Sequence, residues 1–359
     1  MRDIRVGAAQ FEPRDNDKAY NLGRIRELTR RAVDQGAEIV SFHECCIPGY
    51  TWVQQLSRDQ LLAVAEPVPD GPSVQQLVRV AREFNVIVMA GLFERHDTGR
   101  QCPDPRVAAA PAETGGQAAA NPARTDALRI HNCYVTVGPD GFITRFRKLH
   151  TFISPHLTPG DQYCVIDLLG CRIGFLICYD NNLPENVRIT AMLGAEVIFM
   201  PHVTACLPSA MPGRGLVDRA LWENRHRDPV RLRQEFDGPK GRGWLMRWLP
   251  CRAYENGVYA VFTNPIGVDH DTIKPGLAAI FDPFGEVLVE SRALEDDVVV
   301  GLLTTEKHAL SSGRRYLRAR RPELYGKLVE PQQSVTEPGW RLAHEAPDKP
   351  AGGCVTRIA

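Results

Sequence analysis

Residues 172–185 read RIGFLICYDNNLPE, an apolar run that stops at Cys178 and gives way to turn-forming residues. The run predicts a buried strand, and Pro184 with Glu185 predicts the first turn of a helix. A cysteine at such a corner lies near the positive end of the following helix, where its thiolate is favoured. The other interpretation of Cys178 is a small apolar residue that closes a core strand. The corner therefore predicts either a nucleophile or a packing residue.

The composition limits the classes of partner. The 359 residues include 43 Lys and Arg and 43 Asp and Glu, so no net charge favours nucleic acid or an anionic membrane. No apolar stretch reaches membrane-spanning length, and the N-terminus lacks the apolar segment of a signal peptide. We therefore expect a cytoplasmic protein that binds neither nucleic acid nor membrane.

The ten cysteines predict free thiols, because the chain shows no sign of an oxidising compartment. No Cys-x-x-Cys pair occurs, and no second ligand pair accompanies His43, Cys45 and Cys46. We expect neither a metal nor another cofactor.

Strand-like and helical runs alternate along the chain, which predicts a layered α/β domain with mixed sheets. Gly138 to Gly141 has the composition of a hairpin turn. The predicted strands are residues 5–9, 38–42, 86–92, 130–137, 142–147, 172–177, 197–200, 258–263, 277–281, 287–289 and 298–303, and the predicted helices are 18–35, 74–84 and 186–193.

Two segments interrupt this alternation. Residues 97–127 are rich in Ala, Pro and Gly and predict a flexible surface insertion. Residues 206–247 are polar but contain tryptophans, and we expect them to line a pocket or a subunit interface. We assign residues 1–306 to one domain and residues 307–359 to a C-terminal extension that is partly disordered.

Three polar residues follow three of the predicted strands: Glu44, Lys148 and Cys178. Side chains at the carboxyl ends of strands in an α/β sheet gather in a crevice where ligands bind. A thiol nucleophile needs a base, for which a buried carboxylate serves, and a cation with a backbone N–H stabilises the oxyanion that forms. Lys148 and the amide of Tyr179 can supply these groups. The alternative roles are a helix cap or a surface ion pair for Glu44 and a solvated turn residue for Lys148.

At these positions the chain resembles the nitrilase superfamily of carbon–nitrogen hydrolases. The resemblance covers most of residues 4–304 and rests on an ordered set of motifs: VGAAQ at 6–10, FHECCIPGY at 42–50, FRKLH at 146–150, PGD at 159–161, ICYD at 177–180, PENVR at 184–188, PH at 201–202, RAYEN at 252–256 and TN at 263–264. It implies an αββα sandwich and a triad of Glu44 as general base, Lys148 as oxyanion stabiliser and Cys178 as nucleophile. It also implies a homodimer or larger homo-oligomer, because members of this superfamily pair through helices.

One departure from the family pattern concerns a second glutamate between the lysine and the Pro-Gly turn. Residues 151–160 read TFISPHLTPG and contain no acid, so Pro155 or His156 stands at the expected place. Proline cannot replace a carboxylate, and a neutral imidazole cannot pair with Lys148 as an anion does. His156 is then either a surface turn residue or part of the site.

The substrate class follows from the resemblance. Superfamily members that act on nitriles often have Cys-Trp-Glu at this corner, so Cys178-Tyr179-Asp180 favours an amide or carbamoyl substrate, with a nitrile as the alternative. A binding or regulatory homologue without efficient catalysis and an acyl-transfer enzyme are the other hypotheses. The candidate substrate-binding residues are Tyr50, His156, His202, Thr204 and Trp222.

Overall fold

The computed structural model of the protein describes residues 1–98, 128–208 and 213–330. Its strands are β1 (Ile4–Gln10), β2 (Ile39–Ser41), β3 (Ile87–Asp97), β4 (Leu128–Gly138), β5 (Gly141–Arg147), β6 (Val165–Leu168), β7 (Cys171–Phe175), β8 (Val197–Pro201), β9 (Tyr259–Thr263), β10 (Ile266–Asp269), β11 (Thr272–Pro275), β12 (Ala279–Phe281), β13 (Val287–Glu290) and β14 (Asp297–Leu303). Its α-helices are α1 (Lys18–Val33), α2 (Arg58–Val64), α3 (Pro72–Phe84), α4 (Pro184–Met192), α5 (Arg219–Glu223), α6 (Pro229–Asp237), α7 (Arg242–Leu245), α8 (Leu249–Asn256), α9 (Thr305–Leu310) and α10 (Ser312–Arg318).

The first six-stranded sheet has the order β14-β1-β2-β3-β4-β5. Strands β1, β2 and β3 are parallel to one another, and the remaining neighbours are antiparallel. Strands β4 and β5 form the predicted hairpin, with Gly138 opposite Gly141 and only Pro139 and Asp140 between them. Two residues are the commonest length for a β-hairpin loop.

The second six-stranded sheet has the order β13-β12-β9-β8-β7-β6. Its centre is the predicted β-α-β unit, in which α4 connects the parallel strands β7 and β8. Helix α4 begins at Pro184, a first-turn position where the missing N–H of proline has no role in the helix. The apolar run at 172–177 therefore forms a core strand, as its composition predicts.

The two sheets pack face to face, as alternation along the strands of the first sheet shows. Ile39 and Met89 join one buried cluster with Phe175 and Phe199 of the second sheet. Their neighbours Val40 and Val88 point the other way, into a cluster with Leu28 of α1 and Leu77 of α3. Gly174, the neighbour of Phe175 on β7, faces the other way, because a Cβ on it would meet Thr190 of α4. Since α8 packs beside α4, the layers are α, β, β and α. The predicted αββα sandwich is confirmed.

Residues 206–247 contain α5, α6 and α7 in their described part. They pack against a hairpin of β10 and β11 that the sequence did not predict. Trp222 and Phe236 share a buried cluster there with Ile266 and Ile273. Of the predicted insertion at 97–127, residues 99–127 lie outside the described part of the chain, as do residues 331–359 of the predicted C-terminal extension. None of the described helices is both long and apolar enough to span a membrane.

Candidate active site

The two sheets together bring the three strand-end residues to one place in the fold. Glu44 follows β2 and Lys148 follows β5 in the first sheet, whereas Cys178 follows β7 in the second. The site therefore lies between two facing sheets. The sequence argument had placed it in a crevice at the carboxyl edge of a single sheet.

Glu44 and Lys148 form a buried ion pair. The Lys148 Nζ donates to Glu44 Oε1 at 2.7 Å, and both side chains are fully buried. Burial is the largest single effect on Lys148 and lowers its pKa. The charges of Glu44, Cys178 and Asp180, together with the hydrogen bond to Glu44, outweigh burial and raise the pKa of Lys148 above its ordinary value. Lys148 is therefore a permanent cation at neutral pH.

The backbone holds Lys148 in place from both sides. Its N–H donates to the carbonyl of Asn132 at 2.9 Å, and its own carbonyl accepts from the N–H of Gly160 at 2.7 Å. A Cβ on Gly160 would lie 2.3 Å from the carbonyl oxygen of Arg147, so this close approach requires glycine. The Pro-Gly turn thus fixes the chain around Lys148.

Two further partners hold the Glu44 carboxylate. Asn132 Nδ2 donates to Oε1 at 2.6 Å, and the N–H of Val203 donates to Oε2 at 3.1 Å. Sequence reasoning missed both residues. The sequence contained one signal for Asn132. This residue lies in the predicted buried strand 130–137, where an amide side chain needs a polar partner.

Cys178 lies at a sharp turn. Its φ of +50° is unusual for a residue other than glycine, and its Sγ lies 3.8 Å from the carbonyl oxygen of Val203. Through Val203, whose N–H contacts Glu44, the thiol and the carboxylate share one loop.

The ionisation of Cys178 corrects a prediction from the sequence. The residue keeps part of its surface open, yet burial of the thiol and the charge of Glu44 raise its pKa to about 12 against the opposing charge of Lys148. The expectation that the following helix favours the thiolate was wrong. Cys178 opens a separate 3-10 turn, Cys178–Asn182, and α4 begins only at Pro184. The resting thiol is neutral and needs a base.

Asp180 connects the Cys178 turn to the Lys148 strand end. Its fully buried carboxylate accepts from the N–H of Ile177 at 3.1 Å, of Leu149 at 3.2 Å and of His150 at 2.8 Å. The ring of His150 lies 3.0 Å from the same carboxylate. The residues before Cys178 and after Lys148 are therefore bound to one anion.

The backbone N–H of Tyr179 lies directly after Cys178, in the first turn of the 3-10 segment. Tyr179 is the second residue of the 3-10 turn, where an N–H has no acceptor within the turn. Its side chain is 40% exposed and contacts Phe152, with ring centroids 6.1 Å apart.

A cavity of about 310 Å³ opens beside Cys178. Tyr50 and Thr204, two of the predicted substrate-binding residues, line it. The Tyr50 ring centroid lies 5.7 Å from Lys148 Nζ. Asn264 fixes the backbone of Thr204 through two hydrogen bonds, of 2.8 and 3.2 Å. The volume suits a small organic molecule.

The other three candidates lie elsewhere. His202 is fully buried behind the Cys178 turn, 3.1 Å from Asn181 Nδ2, and burial with the charge of Lys148 holds its pKa well below the ordinary value. Trp222 packs on Phe236 in the cluster under β10 and β11. His156 is half-buried, and its N–H contacts Ser154 Oγ at 3.3 Å. The described lining of the cavity includes none of the three.

The structure offers no evident metal centre in the ranges it describes. Within residues 1–98, 128–208 and 213–330, no group of three or more His, Cys, Asp or Glu side chains is arranged to hold a metal ion. The eight cysteines in these ranges are free thiols.

Comparison with known proteins defines the class. The sequence profile of the carbon–nitrogen hydrolases matches residues 5–308, and the chain therefore belongs to this family of enzymes. The sequence is 29% identical to an (R)-stereoselective amidase of Pseudomonas sp., over 91% of this chain and 95% of the relative. It is 25% identical to a nitrilase of Pyrococcus abyssi, over 90% and 99% of the two chains.

The fold comparison agrees. The amidase of Nesterenkonia sp. AN1, from the nitrilase superfamily, superposes with a TM-score of 0.59 at 20% identity, over 91% of this chain and 97% of that one. The resemblance found in the sequence motifs is confirmed at the level of family and fold.

Proposed function

We propose that the protein hydrolyses a small amide or carbamoyl compound through a thioester on Cys178. The observation that carries the proposal is one connected set of contacts. Lys148 and the Val203 loop both bind the Glu44 carboxylate, and the Cys178 thiol contacts the same loop beside a cavity. These are the base, cation and nucleophile that acyl transfer to a thiol requires.

In the first half-reaction, Glu44 takes the proton of the Cys178 thiol as sulfur attacks the carbonyl carbon. The carbonyl π pair moves to oxygen, and this oxyanion lies against the Lys148 ammonium and the Tyr179 N–H. When the tetrahedral intermediate collapses, the C–N bond breaks and Glu44 passes its proton to the leaving nitrogen. Ammonia or an amine departs and the acyl group stays on sulfur.

In the second half-reaction, Glu44 takes a proton from water, and the resulting hydroxide attacks the thioester carbonyl. The second oxyanion uses the same two donors. Collapse breaks the C–S bond, and sulfur regains its proton from Glu44. The net reaction consumes one water and releases one acid with one ammonia or amine, and the three residues return to their resting protonation states.

A neutral resting thiol supports this assignment of the base. Because the pKa of Cys178 is raised to about 12, little thiolate exists at neutral pH without proton transfer. Asp180 supports the role of Lys148 where the second glutamate of the family is missing, because its charge also raises the pKa of Lys148.

The test measures ammonia release from amide, carbamoyl and nitrile panels by the wild type and by Cys178→Ala. Cys251→Ala is the matched control, because Cys251 is an exposed free thiol. We expect turnover of amides or carbamoyl compounds by the wild type and the control but not by Cys178→Ala. Equal turnover by the wild type and Cys178→Ala would overturn the proposal.

A nitrile is the second candidate substrate, favoured by the similarity to the Pyrococcus abyssi nitrilase. The same attack on a nitrile carbon gives a thioimidate, which one water converts to the thioester with loss of ammonia. Turnover confined to the nitrile panel would select this candidate.

A binding homologue without efficient catalysis is the remaining alternative, and the acid-free segment at residues 151–160 motivates it. Iodoacetamide labelling separates the two classes. We expect substrate to protect Cys178 from alkylation in an enzyme. Alkylation of Cys178 that none of the amide, carbamoyl or nitrile compounds slows, together with no turnover of these compounds, would favour the binding homologue.

We also propose that the protein forms a homodimer or larger homo-oligomer through its helices, as the family resemblance implies. Light scattering on the purified protein tests this, and a mass equal to one chain at micromolar concentration would contradict it.

A further inference from the structure

Lys274, in β11, is a buried cation that the proposed chemistry does not use. Its side chain is fully buried, and its Nζ has no hydrogen-bond partner among the described residues. The Asp269 carboxylate lies 3.9 Å from Nζ, beyond hydrogen-bond distance.

Asp269 is directed at another partner. Its Oδ1 accepts from the N–H of Thr51 at 3.2 Å and its Oδ2 accepts from the Thr51 hydroxyl at 2.5 Å. Burial lowers the pKa of Lys274, because its charged form has lost water without gaining hydrogen-bond acceptors. A buried ammonium group without acceptors lowers the stability of the folded protein unless an anion binds to it.

Arg214 presents a second unpaired cation. Its guanidinium carbon lies 3.8 Å from the centroid of the Trp244 ring, which fixes the plane of the group. Its Nη1 is buried and has no hydrogen-bond partner in the described chain. Burial lowers the pKa of Arg214 as well.

Both cations line the cavity that contains Cys178. Thr272 lines the same cavity, and Asp271 is the one acid of its described lining. Asp271 is exposed, so water screens its charge more than it screens Lys274. The closed part of the cavity therefore presents positive charge that no described carboxylate satisfies by hydrogen bonding.

We propose that this cavity selects amides or carbamoyl compounds that carry a carboxylate, with Lys274 as its main partner and Arg214 as the second. The inference rests on the proposed function and names the substrate class of the same site. A carboxylate accepts charge-assisted hydrogen bonds from both cations, whereas a neutral substrate leaves both unpaired. A cavity of about 310 Å³ suits such a small bifunctional molecule.

The kinetic test uses monoamides of straight dicarboxylic acids with two, three or four methylene groups between amide and carboxylate. Each is paired with a neutral amide in which isopropyl replaces the carboxylate. Preference is measured as the kcat/KM of the anionic member divided by that of its neutral partner. We expect this ratio to exceed one for at least one pair in the wild type. In Lys274→Met this ratio falls roughly tenfold or more.

Two variants control the experiment. Lys274→Arg keeps the charge and retains most of the anionic preference, whereas Lys327→Met removes a lysine that is 86% exposed and leaves the ratio unchanged. If Lys274→Met does not fold, Arg214→Met gives the same comparison and the same direction. A wild-type preference for the neutral member of every pair, or the same ratio in wild type and the Lys274 and Arg214 variants, would overturn the inference.

Binding separates this inference from the proposed function. Calorimetry with Cys178→Ala and each of the monoamides should show binding of at least one of them, and this binding should weaken about tenfold in Cys178→Ala/Lys274→Met. Such binding without any turnover by the wild type would sustain the anion site and overturn the hydrolysis proposal. Hydrolysis of neutral amides without anionic preference would sustain hydrolysis and overturn the anion site.

Discussion

Replacing Asp180 with asparagine tests whether one buried carboxylate holds the Cys178 turn against the Lys148 strand end. The substitution keeps the shape of the side chain but removes its charge. Asp180 Oδ2 accepts from the N–H groups of Ile177 and Leu149, and Oδ1 accepts from the N–H of His150. An asparagine must turn its NH₂ group toward one of these two sets.

The expected loss of stability follows from that geometry. In either orientation at least one buried or partly buried N–H loses its acceptor, at about 1–3 kcal/mol, and the bonds that remain lose their charge assistance. We expect Asp180→Asn to lower the free energy of unfolding by about 2–4 kcal/mol. A displacement of Cys178 relative to Lys148 of about 1 Å would reduce kcat by about a hundredfold.

Urea unfolding measures the first effect and ammonia release below the unfolding transition measures the second. Asp167→Asn is the control, because Asp167 is 80% exposed and its pair with Arg172 is 3.6 Å long. This control should change the free energy of unfolding by less than about 0.5 kcal/mol. An Asp180→Asn protein as stable and active as the control would refute the reasoning.

Two further substitutions test the base and the packing behind it. Glu44→Gln should lower the pKa of Cys178, because the Glu44 charge helps to raise it, so that alkylation by iodoacetamide begins at lower pH while ammonia release slows by about 10²–10⁴-fold. An unchanged pH profile of alkylation would contradict this electrostatic account. Gly91→Ala should cost about 2–3 kcal/mol in urea unfolding, because its Cβ would lie 2.2 Å from the backbone nitrogen of Cys45. Gly23→Ala, with open space at the Cβ on α1, should instead gain about 0.5–1 kcal/mol, and equal effects of the two glycine variants would argue against the close approach at Gly91.

The local pattern of apolar and turn-forming residues was enough to predict the strands around the site. Each predicted strand overlaps a strand of the structure, and the turn at Gly138–Gly141 fixed the register of its hairpin. Short strands without a clear apolar run were missed, among them β11 with Lys274. The sequence also gave no signal that β14 pairs beside β1, because that contact joins opposite ends of the domain.

The sequence alone suggested the three main residues of the proposed site but not the contacts that connect them. The family motifs identified Glu44, Lys148 and Cys178, and the fold brings them together. The contact of Asn132 with Glu44 spans 88 positions, so no local spacing could indicate it. The pKa of Cys178 depends on burial and on a charge from another sheet, which is why a helix-end argument gave the wrong direction.

The thioester on Cys178 is the central claim, and rapid acid quenching followed by peptide mass spectrometry tests it most directly. During turnover of a good amide substrate, we predict that the peptide containing Cys178 gains the mass of the acyl group and loses one hydrogen. The gain should disappear when substrate is exhausted. Turnover without any acyl mass on that peptide, or with acyl mass on Cys45 or Cys251 instead, would contradict the account.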